Sequence, residues 1–255
     1  MFTGNITLGG IDLFDEYGIT AVNVNQGMME SHFGITQTVI EEKYSNIDVP
    51  YFYGVERQPF QFTITFARES NWDYKTKESF ARLIFRPYYQ ELVSAETSQI
   101  MYRVICVDNP LKVMNGLDRG YITLSFRTDA PWAYSSTTTR TIEVNETPYT
   151  FELENRSNVL EYYYPELEFT TVGTEFKMTN NRDPENEFIF TELLDGETIY
   201  VDNKMKRVRS DSPYPFNYRL SNFNRNWFRL EYGVNSITID TPCIITFKMQ
   251  YPIAI

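Results

Sequence analysis

The sequence predicts a mainly β protein with one helix, and three observations support this class. Apolar and polar residues alternate with a period of two over many short segments, such as Phe60 to Phe66 and Ile245 to Tyr251. Turn residues separate these segments at short, regular intervals. Aromatic residues make up 16% of the chain, with 19 Tyr and 19 Phe, and such side chains favour the half-buried surface of a sheet.

The leading part of the chain predicts short strands at residues 2–8, 11–13, 19–24 and 37–44. Gly9-Gly10 predicts a turn after the first strand, and the polar pair Asp15-Glu16 separates the next two. Residues 45–57 follow no period and predict a long hairpin arm or loop. The arm contains the successive aromatics Tyr51, Phe52 and Tyr53, which we expect to contact another subunit, because exposed groups of this size need covering.

The clearest strand of the first half, at residues 59–67, precedes the only predicted helix. Ser70 with Asp73 fits a capping box, and apolar residues recur at helical spacing from there to Pro87. Residues 88–93 and 100–107 predict a hairpin, and residues 121–127 predict the last strand of the leading domain.

A domain boundary is expected after that strand. Residues 135–139, Ser-Ser-Thr-Thr-Thr, have the small polar composition of a linker between a leading domain at 1–134 and a trailing domain at 140–255. The trailing domain predicts an antiparallel β-sandwich. Its strands are expected at residues 140–145, 149–154, 164–171, 174–179, 187–192, 197–202, 204–209, 217–221, 226–231, 235–240 and 243–251. Within it, residues 228–231 and 235–240 are expected to be two strands joined by a tight turn.

Composition excludes several classes of protein. A formal net charge of −11 argues against sequence-independent binding to nucleic acid, which needs Lys and Arg to neutralise phosphates. Cys106 and Cys243 lie inside apolar strand patterns, so we expect two reduced cysteines in the core. The first residues do not have the pattern of a signal peptide, and apolar runs are too short to insert into a membrane.

The sequence gives little support for a catalytic or metal site. His32 is the only histidine. The sequence therefore gives little support for a Ser-His-Asp triad, a Cys-His pair or a histidine-rich metal site, and we expect a structural or surface role for His32. The pairs Glu41-Glu42 and Glu185-Glu187 are the remaining hydrolytic option. Neighbouring strand residues point to opposite faces, and Glu185 and Glu187 follow a solvated turn, so we expect neither pair to be catalytic. No cofactor is expected.

Two other clusters have plain structural explanations. Lys204, Lys206, Arg207 and Arg209 form the one basic cluster and predict a solvated or interface edge strand. The aromatic clusters Tyr162-Tyr163-Tyr164 and Trp227-Phe228 could stack against sugars, but alternating aromatics in a sandwich usually fill the core, and we expect Trp227-Phe228 to pack there.

Two stretches together resemble the distal tail protein (Dit) family of long-tailed bacteriophages. Asp129 to Tyr134 resembles the family's DPWAY ending of the leading domain, with Ala130 inserted between Asp and Pro. The turn Leu194 to Glu197 and the stretch Trp227 to Ile239 resemble the family's galectin-like sandwich, where Tyr232 stands in place of Pro in the usual L-x-P-G-x-N-x-I. The strand, helix, hairpin and strand order of residues 58–127 is also similar to the family's ring domain.

The resemblance implies a structural component of the tail tip or baseplate rather than an enzyme. It implies a homo-hexameric ring made by the leading domains, trailing galectin-like domains displayed outward, and residues 45–57 as the arm that reaches a neighbouring subunit. The implied partners are the tail tube protein, a tail-tip hub or tail-associated protein, and a receptor-binding protein. DNA would pass through the ring without specific binding. The protein would be made in the host bacterial cytoplasm and function in the virion.

An alternative of a different class stays open from the sequence alone. A β-sandwich with exposed aromatic residues also suits a carbohydrate-binding module or a glycan-processing enzyme. A mass near six chains in light scattering would favour the ring, whereas a monomer that binds glycans would favour the alternative.

Overall fold

A computed structural model of the chain describes residues 2–24, 35–45, 47–159, 161–213 and 218–254. The mainly β class is confirmed, with 51% of residues in strands and 8% in helices. The chain divides into two compact units, Met1–Ser135 with Ile253–Ile255, and Ser136–Pro252.

The elements of the described residues are, in chain order, β1 (Ile6–Leu8), β2 (Ile11–Asp12), α1 (Leu13–Tyr17), β3 (Ile19–Val22), β4 (Gln37–Glu42), β5 (Tyr51–Arg57), β6 (Gln61–Arg68), α2 (Tyr74–Ile84), β7 (Gln90–Ser94), a short 3₁₀ helix (Ala95–Thr97), β8 (Ile100–Met114), β9 (Gly120–Thr128), β10 (Ala133–Ser135), β11 (Thr138–Val144), β12 (Tyr149–Asn155), β13 (Tyr162–Tyr163), β14 (Glu166–Thr171), β15 (Phe176–Asn180), β16 (Phe188–Phe190), β17 (Thr198–Asp202), β18 (Arg207–Ser210), β19 (Leu230–Glu231), β20 (Gly233–Ile239), β21 (Cys243–Met249) and β22 (Pro252–Ile253).

The first unit is built on one curled antiparallel sheet. Its strands follow the order β2-β1-β7-β8-β9-β6-β3, and β10 pairs with both β8 and β22. Gly4 and Ala21 exchange backbone hydrogen bonds of 2.9 Å, which draws the beginning of the chain towards β3 at the far end of the sheet. Helix α2 packs its apolar side on this sheet, with the Phe80 ring 5.6 Å from Phe66. This contact and its neighbours form the core of the unit.

The second unit is a sandwich of two antiparallel sheets. The five-stranded sheet has the order β11-β21-β14-β17-β18, and the four-stranded sheet has the order β12-β20-β15-β16. Inward-facing side chains of the two sheets meet in one core, where the rings of Phe169 and Phe176 stack at 3.9 Å. Outward-facing positions are mostly polar and exposed, as the period-two alternation predicts.

The leading unit differs from prediction at both helices. Leu13–Tyr17 forms a short helix where a strand and a polar separator were expected, because the Asp12 carboxylate accepts hydrogen bonds from the backbone N–H groups of Phe14 and Asp15 and thereby caps a helical turn. Helix α2 is present as expected, but the capping box at Ser70 and Asp73 is wrong. Asp73 is itself the N-cap, and its carboxylate accepts from the Thr76 backbone N–H at 2.9 Å.

The trailing unit departs from its predicted strands between residues 217 and 231. Described residues 218–229 contain no strand, so the strand expected at 217–221 is wrong over 218–221, and Asn217 lies outside the described residues. Of the residues 226–231 that were expected to form a strand, only Leu230 and Glu231 do so. Strand β19 pairs with β13, whereas β20 pairs with β12 and β15, so the expected two-strand hairpin at this place is also wrong. Side-chain hydrogen bonds replace ladder bonds here, as when Asn203 accepts from the Phe228 N–H.

Candidate assembly surface

Strands β4 and β5 form a separate two-stranded sheet, called the arm below (residues 37–57). The two strands run antiparallel from the pair Gln37 and Arg57 to the pair Glu42 and Tyr51, with a bulge between Ile40 and Glu41. The predicted arm is therefore a hairpin. The sequence pattern did not identify the partner of its second strand, because β4 looked like an ordinary strand of the leading sheet.

The aromatic residues predicted to contact a subunit lie on β5 and are open to solvent. Tyr51, Phe52 and Tyr53 are 54%, 65% and 62% exposed. Tyr51 lies opposite Glu42 and Phe52 lies opposite Glu41, so the rings of Tyr51 and Phe52 face opposite sides of the ribbon. The arm therefore presents aromatic groups on both of its faces.

Further apolar residues of the arm, which the sequence pattern did not single out, extend this surface. Val39 and Val55 are opposite each other on the same side as Phe52, and Ile40 lies opposite Gly54 on the side of Tyr51. Val39, Ile40 and Val55 are all exposed. The signal was present in the sequence as a second apolar pair within 37–42, but only the cross-strand register shows that it continues the same two faces.

Polar contacts within the arm orient its aromatic rings. The Tyr53 hydroxyl donates to the Glu42 carboxylate at 3.1 Å, and the ring of Tyr44 meets that of Tyr51 edge-on at 5.7 Å. Hydrogen bonds with Glu42 and then Tyr53 raise the pKa of Tyr44 above its ordinary value. The Tyr44 phenol therefore stays neutral at neutral pH, so its ring adds apolar surface without added charge.

A two-stranded ribbon with apolar faces is poorly suited to remain alone in water. An isolated hairpin is marginally stable because it has no further layer on which to bury its side chains. Contiguous exposed apolar patches usually mark places where another protein binds. The exposed apolar faces make the arm a candidate surface for contact with another molecule.

The candidate catalytic residues are not assembled into a site. Glu187 forms an ion pair with Lys177 at 2.7 Å, and Glu185 is exposed. Glu41 and Glu42 are adjacent residues on the exposed β4. His32 lies outside the described residues. Among the residues that the structure describes, no group of three His, Cys, Asp or Glu side chains is arranged to hold a metal ion.

The two cysteines are free, and both lie within strands as expected. Cys243 is buried and Cys106 is half-buried. Burial raises the pKa of the Cys243 thiol to about 12, and burial followed by the nearby Asp108 charge raises that of Cys106. Both groups are therefore neutral thiols at neutral pH, which are poor nucleophiles.

In the part of the chain with described structure, no helix is long and apolar enough to cross a bilayer.

The basic cluster is divided between a turn and a strand. Arg207 and Arg209 lie on β18, at the edge of the five-stranded sheet, as the edge-strand prediction requires. Lys204 and Lys206 were expected on that strand and instead lie in the turn that precedes it. Lys206 has a backbone φ of 54°, in the left-handed region that turns use and strands do not.

The aromatic clusters of the second unit mostly pack inside it. Phe228 is buried in the core and Trp227 packs against the core's edge, so the packing prediction for this pair is confirmed. Tyr163 is buried, and its hydroxyl accepts from the Gln250 N–H at 2.8 Å. The Arg229 guanidinium lies over the ring of Tyr162 at 4.1 Å.

Comparison with known proteins bears on the whole chain. Residues 7–130 match the family described as phage tail protein N-terminal domain, and residues 132–249 match the phage tail C-terminal domain. A search of curated protein sequences found no match.

Solved structures of phage adsorption proteins resemble this fold. The Dit protein of phage SPP1, described as a paradigm of hub adsorption apparatus in Gram-positive infecting phages, matches 98% of this chain and 99% of its own, with 14% identity and a TM-score of 0.68. Two structures of the phage P2 baseplate in its activated conformation, with Ca and with Sr, match 97% and 98% of this chain and 98% of each of theirs. Their identities are 11% and 10%, and both TM-scores are 0.48.

The two family matches together cover nearly the whole chain, and the similarity to SPP1 Dit extends over both units. The resemblance noted in the sequence is therefore confirmed. The chain belongs to the phage tail protein family, as a structural component of the virion tail with the fold of the distal tail (Dit) proteins.

Proposed function

We propose that six copies of this chain form a ring that joins the tail tube to the tip and adsorption machinery, and that the arm is the contact between neighbouring copies. The observation that carries the proposal is the arm itself, a ribbon with aromatic and aliphatic groups exposed on both faces. The number of copies and the place in the tail come from the resemblance to the Dit family. In this proposal Tyr51, Phe52 and Tyr53 are the central contact residues.

The remaining parts of the proposal have simple physical support. A net charge of −11 suits a ring through which DNA passes without adhering, because like charges repel. The tail tube protein would attach to the ring domains at 1–134, and the galectin-like domains at 140–255 would offer a platform to a tail-tip hub and a receptor-binding protein. The protein acts through shape and adhesive surface rather than by catalysis, and needs no cofactor. It is made in the host cytoplasm before assembly into the virion.

The arm is tested by replacing Tyr51, Phe52 and Tyr53 together with Ser. We expect the wild-type chain to reach a mass near six subunits in light scattering at high concentration or after addition of tail tube protein. The triple variant should remain a monomer under both conditions, because each face of its ribbon has lost its largest apolar groups. Its melting temperature should change little, since these side chains are exposed in the single chain.

A matched control uses aromatic residues that are equally exposed elsewhere. Replacing Tyr218 and Tyr232 with Ser, which are 66% and 63% exposed in the second unit, should leave the ring intact. A triple arm variant that still forms a six-subunit ring would remove the arm from the interface. A wild-type chain that stays monomeric with tail tube protein present would contradict the ring itself.

A further inference from the structure

The outer face of the five-stranded sheet of the second unit forms an open groove of about 400 Å³. Strands β21, β14, β17 and β18 form its floor, and their outward side chains line up in two cross-strand rows. The rows are Lys248, Glu166, Asp202 and Arg207, and beside them Thr246, Glu168, Tyr200 and Arg209. This surface is called the charged groove below.

The charged groove has balanced charge but unpaired hydrogen-bonding groups. Its three carboxylates, Glu166, Glu168 and Asp202, are matched by three cations, Lys248, Arg207 and Arg209. Lys248 and Glu166 already pair at 2.8 Å. Among the described residues, none provides a hydrogen-bond partner for the side chains of Glu168, Tyr200, Arg207 or Arg209. The groove therefore offers a strong acceptor at Glu168 and strong donors at Arg207 and Arg209 to a ligand.

The arrangement of the second row defines what the groove could hold. Tyr200, on β17, lies between Glu168 on β14 and Arg209 on β18. Neighbouring strands are about 4.8 Å apart, so Glu168 and Arg209 are separated by roughly 10 Å across the sheet. The phenol of Tyr200 is 43% exposed between them. A ligand lying along this row would meet an acceptor, an aromatic ring and a guanidinium fork in turn.

The chemistry of these groups favours one class of ligand. Zero net charge disfavours both polyanions and polycations, and the polar lining disfavours lipids. A carboxylate accepts hydrogen bonds, and a guanidinium donates several in a fixed fork, so a ligand with many groups that both donate and accept satisfies both. Hydroxyl groups have this property. The Tyr200 ring provides an apolar surface for the C–H face of a sugar ring.

We propose that the charged groove binds a neutral oligosaccharide. Glu168 accepts from hydroxyls on one side of the bound chain, Arg209 donates to hydroxyls on the other, and the ring of Tyr200 packs against a sugar face between them. Arg207 extends the donor side along β18. The proposal is independent of ring formation, because all of these residues lie in the second unit.

The test is isothermal titration calorimetry of the full chain with neutral tetrasaccharides of glucose, mannose, galactose and N-acetylglucosamine. At least one should bind saturably. Tyr200→Ala should weaken that binding about tenfold, and Glu168→Gln and Arg209→Gln should each weaken it several-fold. All three positions are exposed, so the variants should melt with the wild type. Tyr232→Ala, an exposed tyrosine outside the groove, should bind as the wild type does.

Three outcomes would overturn the proposal. The first is the absence of saturable binding by every tetrasaccharide at millimolar concentration. The second is binding that Tyr200→Ala leaves unchanged. The third is binding confined to a polyanion such as heparin and falling steeply with added salt, which would make the arginines a phosphate or sulfate site instead.

Discussion

At the residue scale, Glu197 and Arg219 form an ion pair that is more deeply buried than the other ion pairs among the described residues. Their side chains are 0% and 6% exposed, and the guanidinium binds both carboxylate oxygens at 2.7 Å. The backbone N–H of Leu194 and the hydroxyl of Ser210 also donate to this carboxylate. Burial raises the pKa of Glu197, but the hydrogen bonds from Arg219, Leu194 and Ser210 outweigh it and hold the pKa below the ordinary value. The pair ties residue 219 to the turn at 194–197.

Glu197→Gln should destabilise the second unit by about 3 kcal/mol at pH 7, because it leaves the Arg219 charge buried without its counter-charge. The native carboxylate has a lowered pKa, so its stabilising effect is complete above the unfolded-state value near 4.5 and is lost as pH falls through the native value. The difference in free energy of unfolding between wild type and variant should therefore shrink below pH 4.5. Urea denaturation across pH measures it.

Glu185→Gln provides the comparison, since this glutamate is exposed and close in sequence. It should change the free energy of unfolding by a few tenths of a kcal/mol at most. An equally small change for Glu197→Gln, or a gap that persists in acid, would mean that the ion pair contributes little. The sequence did not reveal this pair, because Arg219 lies in a segment that looked like a strand and has no partner pattern nearby.

At the element scale, the hairpin of β8 and β9 depends on one glycine beside its turn, where Gly120 lies opposite Met114. The Gly120 carbonyl accepts from the indole of Trp72 at 3.0 Å, and the Trp72 backbone N–H donates to the Asp118 carbonyl at 2.8 Å. A Cβ on Gly120 would lie 1.9 Å from the Val113 carbonyl oxygen. No side chain fits there unless the two strands separate.

Gly120→Ala should lower the stability of the first unit by about 1–3 kcal/mol, the usual cost of overpacking. Gly116→Ala at the same hairpin is its matched control, because a Cβ there meets no atom within 4 Å. Thermal unfolding of both variants should show a clear loss for Gly120→Ala only. A Gly120→Ala protein as stable as the wild type would indicate that β8 and β9 separate beside the turn at little cost in free energy.

Prediction of elements succeeded where local pattern and burial coincide. Strand β6 alternates strictly and pairs with a strand on each side, β9 and β3, and helix α2 presents Phe80, Leu83 and Ile84 to the core. The prediction was wrong where a single side chain determines the backbone conformation. An example is Asp12, whose carboxylate caps the first turn of α1. The arm was visible as an irregular aromatic segment, but its pairing with β4 was not, because register between strands is set by contacts across the chain.

At the scale of the whole molecule, the second unit has a core of its own, with side chains from both of its sheets. We expect a fragment of residues 136–252 to fold alone, because a domain with its own core can do so. Differential scanning calorimetry should give one cooperative transition that coincides with a transition of the full chain. A fragment that binds a hydrophobic dye and melts without a transition would contradict the domain assignment.

Local order of apolar and polar residues determined by itself that this protein is mainly β, that a helix follows the strand near residue 60, and that an aromatic arm stands out from the rest. The family resemblance added the tail role. Only the tertiary structure shows that β11 pairs with β21, about a hundred positions later in the chain. It also shows that Arg219 forms an ion pair with Glu197, and that Glu168, Tyr200 and Arg209 line one groove. The reason is physical: alternation reports only that a strand has a buried face, whereas the partner across the sheet is chosen by how those faces pack together.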